Sequence, residues 1–397
     1  MKNVVLLILC LTFQFLLAQE KSSPEQLLGF GNEAYNAGRY KDAIAFYNQS
    51  IQKSPGFIDA YLARASAREQ TKDLQGALTD YSIVIEKHPE SFDALFGRAN
   101  VRYKLKQYPQ AKEDYLKLLD LPANETNTIY YQKSPSASGS NQMMTAQSVV
   151  KPMLFNYLGI TETKLKNHKA AIQWLDSAIR LQPYTADYYV NRGIAYENSD
   201  LKKAEADYQH ALKIDPNNAL AMHNLGVLGR KKGKKQNEDY LERAIESDST
   251  MLYPYLERAY QRMLGEYYRG AIEDYTKALK IEGSDPAIWL GRGIAREKMN
   301  DLKGAYTDYT KAIEVDEKYE KAWLNRGNLL SKQGRYEQAI EDYSAAITFN
   351  PDYAAAYYNR AIARERIKQY AEACVDLKHA ESLGKIPDEN LQEKVCK

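Results

Sequence analysis

Seven arginines recur where the hydrophobic periodicity of this chain calls for a buried side chain: Arg64, Arg98, Arg192, Arg258, Arg292, Arg326 and Arg360. Repeated guanidinium groups could form a positive stripe for an acidic ligand, because each presents a planar fork of donors to a carboxylate or phosphate. Each arginine, however, has an aspartate sixteen residues on, or fifteen in one case: Asp80, Asp114, Asp207, Asp274, Asp308, Asp342 and Asp376. Three further copies of the pattern lose both charges together, with Phe30 against Phe46, Leu158 against Trp174 and Leu225 against Tyr240. A pair that changes as a unit implies contact, since a lone charge left partly buried would be uncompensated. These positions are therefore predicted to be structural ion pairs. A second arginine four residues on, at Arg68, Arg102, Arg262, Arg296 and Arg364, always accompanies an aspartate, so two guanidiniums are expected to share one carboxylate.

No other constellation carries a reaction. The chain has no GxxxxGK[ST] loop, no HExxH helix, no GxSxG elbow and no paired CxxC. Glu113–Asp114 and Glu341–Asp342 resemble general acid/base pairs, but the aspartate of each is already committed to an arginine. The histidines, His88, His168, His210, His223 and His379, are scattered without a metal-binding spacing. No catalytic residue, metal or cofactor is assigned, and a non-enzymatic protein is expected. The formal charge of +2 gives no global field, so neither nucleic acid nor a small-molecule substrate is expected as partner. The 44% hydrophobic and 27% charged residues are those of a soluble folded protein, and 397 residues suffice for two or three ordinary domains. Tyrosine is abundant, 32 residues against nine phenylalanines, which fits half-buried aromatic seats whose hydroxyls still reach water.

The elements that position these residues repeat. At an offset of 34 residues the pattern returns through nearly the whole chain, in ten units starting near Pro24, Ile58, Phe92, Pro152, Ala186, Ala219, Leu252, Pro286, Glu320 and Ala354. Late in each unit stand an alanine and, four residues on, a ring or leucine, as in Ala43 and Tyr47, Ala305 and Tyr309, or Ala171 and Leu175. A further alanine three residues on completes a helix face small enough for close approach to a neighbour. Pro55, Pro89, Pro183, Pro216 and Pro351 end units, where a missing donor stops the second helix. The units at Ala186 and Ala219 are each about one residue short between their helices. The basic run from Arg230 to Lys235 lies at the second of these turns and reads as a solvated loop.

Trp323, Gly327, Ala339, Tyr343, Ala346 and Pro351 in one unit, and Phe155, Leu158, Gly159, Ala171, Leu175, Ala178 and Pro183 in another, resemble the tetratricopeptide repeat. The resemblance implies an all-α fold, a right-handed superhelical α-α solenoid of about ten hairpins, each packed only on its neighbours. It divides the chain into units 1–3 over 19–125, a Ser-rich insertion loop over 126–151, units 4–10 over 152–385 and a capping helix over 386–397. It also implies a concave groove, lined by the first helices, that grips a peptide or a partner's helix. Its candidate residues are Asn32, Tyr35, Phe96, Asn100, Tyr103, His223, Tyr260, Asn328 and Tyr358, amides beside rings, with Glu297 and Glu365 on the same face. Some family members hold a terminal carboxylate with a lysine and asparagine set. Here that lysine position is Leu28, Leu62, Leu290 or Leu324, which argues against that mode.

Residues 1–18 read as a signal peptide: Lys2, an apolar run from Val4 to Ala18, then polar sequence. The run is shorter than the ~20 residues a membrane span needs, and no later segment could cross a bilayer. Export to the periplasm or the extracellular space follows as an expectation. Cys374 and Cys396 remain, and an exported chain permits a bond between them. Cys374 occupies a place filled elsewhere by Ile44, Ile172, Ile272 or Ile340, so it reads first as a small buried hydrophobe. The expected function is a protein-interaction scaffold with a protein or peptide client, and a membrane-associated complex is compatible with that role. The alternative is a structural or assembly factor that self-associates or serves an envelope complex as an accessory subunit.

Overall fold

The structure, a computed structural model, describes residues 22–121, 146–232, 238–386 and 388–396. Among these the chain is all α-helical, with twenty-one helices and no strand. It forms two compact units, one ending at Pro216 and the other starting at Asn217.

The N-terminal unit holds five hairpins: α1 (Pro24–Asn36) with α2 (Tyr40–Lys53), α3 (Ile58–Gln70) with α4 (Leu74–Lys87), α5 (Phe92–Lys104) with α6 (Tyr108–Asp120), α7 (Ala146–Lys164) with α8 (His168–Leu181), and α9 (Ala186–Tyr196) with α10 (Leu201–Ile214). The C-terminal unit holds five more: α11 (Ala219–Lys231) with α12 (Glu238–Ser247), α13 (Leu252–Leu264) with α14 (Tyr268–Ile281), α15 (Pro286–Lys298) with α16 (Leu302–Val315), α17 (Glu320–Lys332) with α18 (Tyr336–Phe349), and α19 (Ala354–Arg366) with α20 (Tyr370–Ser382). A short helix, α21 (Glu389–Val395), follows. Nine of the ten first helices begin on the residue where the sequence repeat begins.

Local chemistry sets these boundaries. Ser23 and Gln26 form a capping box ahead of α1, and Asp73, Asp200 and Asp301 accept main-chain N–H groups at the starts of α4, α10 and α16. Most turns inside a hairpin contain one residue with left-handed backbone: Gly38, Lys72, Lys106, Lys166, Glu266, Asn300, Gly334 or Lys368. The turn between α9 and α10 closes without one, which is the structural form of the missing residue in that unit.

The alanine faces of the second helices are fully buried, at Ala43, Ala77, Ala111, Ala171, Ala204, Ala271, Ala305, Ala339 and Ala373. Opposite them, Gly31 and Gly193 let the helices meet. A Cβ at Gly31 would sit 2.3 Å from the ring of Tyr47, and one at Gly193 2.5 Å from Tyr208. Within each unit every hairpin packs on the next, so each is an α-α solenoid. Successive first helices also touch directly, α1 on α3, α3 on α5 and α7 on α9 in one unit, α11 on α13, α15 on α17 and α17 on α19 in the other.

The described residues depart from expectation in two places. Helix α7 starts at Ala146, so the last six residues of the expected loop 126–151 are helical and Pro152 lies inside the helix. As the seventh residue of the helix, this proline removes the main-chain hydrogen bond that its N–H would have made to the Ser148 carbonyl. Residues 126–145 and the signal peptide lie outside the described residues, as do 233–235 of the basic run. Cys374, expected to act as a small hydrophobe, is bonded to Cys396, with Cα atoms 5.0 Å apart. The bond fastens α21 over the last hairpin, where Val395 and Leu391 pack against Ala361, Ala373, Leu377 and Tyr358. No described helix is long and apolar enough to cross a membrane.

Replacing both cysteines, Cys374→Ser with Cys396→Ser, opens a loop with a sequence separation of 22 residues and should cost the C-terminal cap about 3 kcal/mol of local stability. Hydrogen exchange should quicken in α20 and α21 and stay unchanged in the N-terminal unit. Uniform loss of protection across both units would contradict nearest-neighbour packing.

Candidate functional site

The repeated arginines take up their aspartates by a two-pronged fork. Nε and Nη2 of Arg64 donate to Asp80 at 2.9 and 2.7 Å. The same fork joins Arg98 to Asp114 at 3.0 and 2.7 Å, Arg192 to Asp207 at 2.9 and 2.7 Å and Arg258 to Asp274 at 3.1 and 2.7 Å. It recurs for Arg292 and Asp308 at 2.9 and 2.8 Å, Arg326 and Asp342 at 2.8 Å twice, and Arg360 and Asp376 at 2.9 and 2.7 Å. All seven aspartates are buried. Nη1 of Arg68, Arg102, Arg262, Arg296 and Arg364 reaches the same carboxylates at 2.6–2.9 Å. It also donates to the carbonyl four residues before each aspartate, as Arg68 does to Gly76 at 3.1 Å.

Where the charges are absent, rings and aliphatics fill the same space. Phe30 and Phe46 have ring centroids 5.9 Å apart. Trp174 packs on the cluster that contains Leu158 and stacks on Phe155 at 5.5 Å. Leu225 is buried and Tyr240 half-buried.

The remaining Nη1 of the first arginine points backwards along the stack, to a side chain sixteen residues earlier in the preceding hairpin. Arg64 donates to Asn48 at 2.7 Å, Arg192 to Asp176 at 2.6 Å, Arg292 to Thr276 at 3.1 Å, Arg326 to Thr310 at 3.2 Å and Arg360 to Ser344 at 2.9 Å. One guanidinium thus ties its own two helices together and stitches them to the hairpin before. Five of these groups also lie over a ring three residues earlier, from 4.9 Å for Arg292 over Trp289 to 5.5 Å for Arg360 over Tyr357. Asp342 is hydrogen-bonded by Arg326 alone among the arginines, since Leu330 stands where a second one would be. Burial pushes its carboxyl above the ordinary range despite that arginine. At Arg326, burial opposes the charge but the bonds from Asp342 outweigh it, and the guanidinium holds its proton more firmly.

The groove candidates divide between the two units. On α1, Asn32 is exposed and its Oδ1 accepts the Tyr47 hydroxyl at 2.9 Å, while Tyr35 lies edge-on to Tyr40 at 5.3 Å. On α5, Asn100 accepts from Tyr115 at 2.6 Å and Tyr103 lies edge-on to Tyr108 at 5.3 Å. Phe96 is committed to packing, stacked on Phe92 at 5.8 Å and edge-on to Tyr157 at 5.3 Å. In the C-terminal unit, His223 is half-buried with its ring 6.4 Å from that of Tyr253. Tyr260 is exposed beneath the Arg230 guanidinium at 5.3 Å. Tyr358 packs against the cap, with Lys385 over its ring at 5.2 Å. Asn328 accepts from both the Tyr343 hydroxyl, at 2.9 Å, and Asn359 Nδ2, at 2.7 Å. Glu297 takes the Tyr309 hydroxyl at 2.7 Å and Lys332 Nζ at 2.5 Å, and Glu365 pairs with Lys394.

A rule missed in the sequence connects these facts. In six hairpins the buried second-helix tyrosine turns its hydroxyl to the inner face. It finds either an asparagine at the ninth residue of the unit (Asn32, Asn100, Asn328) or a glutamate at the twelfth (Glu69, Glu197, Glu297). No hairpin so bonded carries both, and that alternation was the readable signal. Tyr275 faces neither, since Tyr260 and Met263 fill those positions. The tyrosine hydroxyl holds each of these amides by its oxygen, which restrains a side chain that would otherwise be free on the inner face.

Three first helices, α15, α17 and α19, line an open cavity of about 350 Å³. Asn325, Asn328 and Asn359 provide amides, Ile294 and Ile362 apolar walls, and Lys298 with the Lys332–Glu297 pair a charged rim. That lining can hold an extended main chain through amides while its side chains meet isoleucine.

Profiles of families described as Tetratricopeptide repeat match residues 28–83 and 62–126, residues 186–218 and residues 320–353. The chain is 29% identical over 132 residues to tetratricopeptide repeat protein 16 of Macaca fascicularis, a match covering 31% of this chain and 15% of that protein. The chain thus spans well under a fifth of that relative. Among solved structures, it is similar to YrrB, described as a TPR protein with an unusual peptide-binding site, at 21% identity over 47% of this chain and 95% of the other, with a TM-score of 0.40. It is also similar to yeast Tom70, at 14% identity over 94% and 93% of the two chains, with a TM-score of 0.33.

Burial raises the tyrosines that frame the inner face. Tyr47, Tyr103 and Tyr188 are each pushed up to about 12, and Tyr81, Tyr115, Tyr208, Tyr309 and Tyr343 higher still. The neutral ring is the form the fold favours. Above pH 10 the unfolded chain sheds these protons first, so stability is intact below pH 10 and falls as the pH rises towards about 12. Phenolate absorbance and far-ultraviolet circular dichroism followed together should show these rings ionising as helix is lost. Complete ionisation near pH 10 with helix retained would contradict their burial.

Proposed function

The chain is a tetratricopeptide repeat protein, and we propose on that premise that it is an exported, non-enzymatic scaffold that holds another polypeptide against its first helices. The observation that carries this reading is the cavity floored by α15, α17 and α19, where the Tyr343 hydroxyl holds the Asn328 amide in place. Amides held in place lose little freedom on binding, which favours capture of an extended main chain. The buried carboxylates are neutralised by arginines, so the acids that might have served chemistry are occupied with holding helices. A lasting bond between Cys374 and Cys396 suits an oxidising compartment and supports export.

Display of random peptides against the full chain provides the test. Peptides so selected should bind the wild type and lose at least about tenfold in affinity, roughly one good contact, to Asn325→Ala and to Ile294→Arg, with thermal midpoints unchanged. If selected peptides are indifferent to both substitutions, the groove is not the binding surface.

A further inference from the structure

Helices alternate in direction, so within the N-terminal unit all turns inside hairpins fall on one edge and all links between hairpins on the other. At three of those turns the left-handed residue is an exposed lysine: Lys72 (φ 64°), Lys106 (φ 61°) and Lys166 (φ 63°). That backbone disfavours any residue with a Cβ, and Gly38 and Gly334 close the same turn without strain. The fold therefore has no need of lysine at these places, since Glu266, Asn300 and Gly334 close the equivalent turns of the C-terminal unit.

The surroundings leave that charge unanswered. Nearby acids are engaged: Asp42 with Arg39 at 3.6 Å, Asp73 with Arg68 at 3.3 Å, Glu69 with Lys104 at 2.7 Å, and buried Glu162 with Lys112 at 2.6 Å. Lys41, Lys72, Lys106, Lys164, Lys166 and Lys169 have no carboxylate partner among the described residues. The opposite edge is mixed, with Asp59, Asp93 and Asp187 where first helices open and Lys53, Lys87, Lys117 and Arg180 where second helices end. The row of lysines without carboxylate partners at successive turns is what the turn edge offers a negative surface.

We propose that this edge docks the N-terminal unit on an anionic lipid surface, with lysine ammonium groups against phospholipid headgroups. A row of charges at successive turns suits an extended plane better than a point ligand. Lysine, a flexible point charge, suits mobile headgroups, whereas the geometry-reading arginines of this unit face inward onto aspartates. Tyr40 and Tyr108, half-buried at the first residues of α2 and α6, lie on the same edge, and such rings favour the membrane–water boundary. The surface is separate from the groove, so either reading stands without the other.

The test is co-sedimentation of the full chain with vesicles of phosphatidylcholine alone and with phosphatidylglycerol admixed. The chain should pellet with the anionic vesicles only and be released by high salt. The triple variant Lys72→Gly, Lys106→Gly, Lys166→Gly should bind at least about tenfold more weakly, with a thermal midpoint equal to or above that of the wild type because the turns relax. A second variant that leaves those turns alone, Lys41→Gln, Lys164→Gln, Lys169→Gln, should weaken binding likewise. Binding to neutral vesicles as tightly, binding to neither, or undiminished binding by both variants would overturn the proposal. Capture on immobilised polyglutamate with none on vesicles would also overturn it, in favour of an acidic protein.

Discussion

A carboxylate buried between two helices is the constraint on which this molecule is built. Asp80, Asp114 and Asp308 are wholly shielded from water, where an unpaired charge would cost several kcal/mol. Only a fixed cation in good geometry makes such a site tolerable, and the arginine fork provides one. The pair does not by itself argue for high stability, since apolar residues fill the same place in the hairpins of Phe30 and Trp174. Its effect is on geometry. Two helices joined by parallel hydrogen bonds cannot slide by a turn without stranding the charge, so the hairpin has one register.

From that register the rest follows. The third arm of the arginine reaches the preceding hairpin, so the register of one repeat is passed to the next. With the helices set, the tyrosine of the second helix lies against the glycine of the first and delivers its hydroxyl to an asparagine or glutamate on the inner face. Lys104 with Glu69 and Lys332 with Glu297, each 35 residues apart, add links between neighbouring first helices. The inner face is thereby more ordered than a row of solvated polar side chains would be. A surface whose amides are already held in place has met part of its ordering cost before any partner arrives, which is what the proposed scaffold role requires.

Much of this was legible because ten copies in one chain compare themselves. The period of 34, the helix faces and the matched losses of Arg and Asp all rest on contacts inside a hairpin, whose partners keep a constant spacing. What escaped notice rests on choice among alternatives or on contacts between hairpins. The tyrosine acceptor shifts between the ninth and twelfth residues, so no single column records it. The backward bond of the arginine goes to Asn48, Asp176, Thr276, Thr310 or Ser344, which share only a polar oxygen. Phe96 and Tyr358 read as groove rings because their spacing was right, yet neighbouring rings in one case and the cap in the other claim them. The helix ahead of Pro152 was hidden by that proline and by the serine-rich stretch before it, and the disulfide by a cysteine in a place that isoleucine usually fills.

The central claim is that arginine and aspartate form one unit whose charges exist for each other. The cleanest place to measure it is Arg326 with Asp342, because Leu330 leaves no second arginine to take over. A double-mutant cycle by urea unfolding should find that Arg326→Leu alone costs roughly 3 kcal/mol or more. Arg326→Leu together with Asp342→Leu should recover most of that loss. A double variant as unstable as the sum of the two singles would contradict the account.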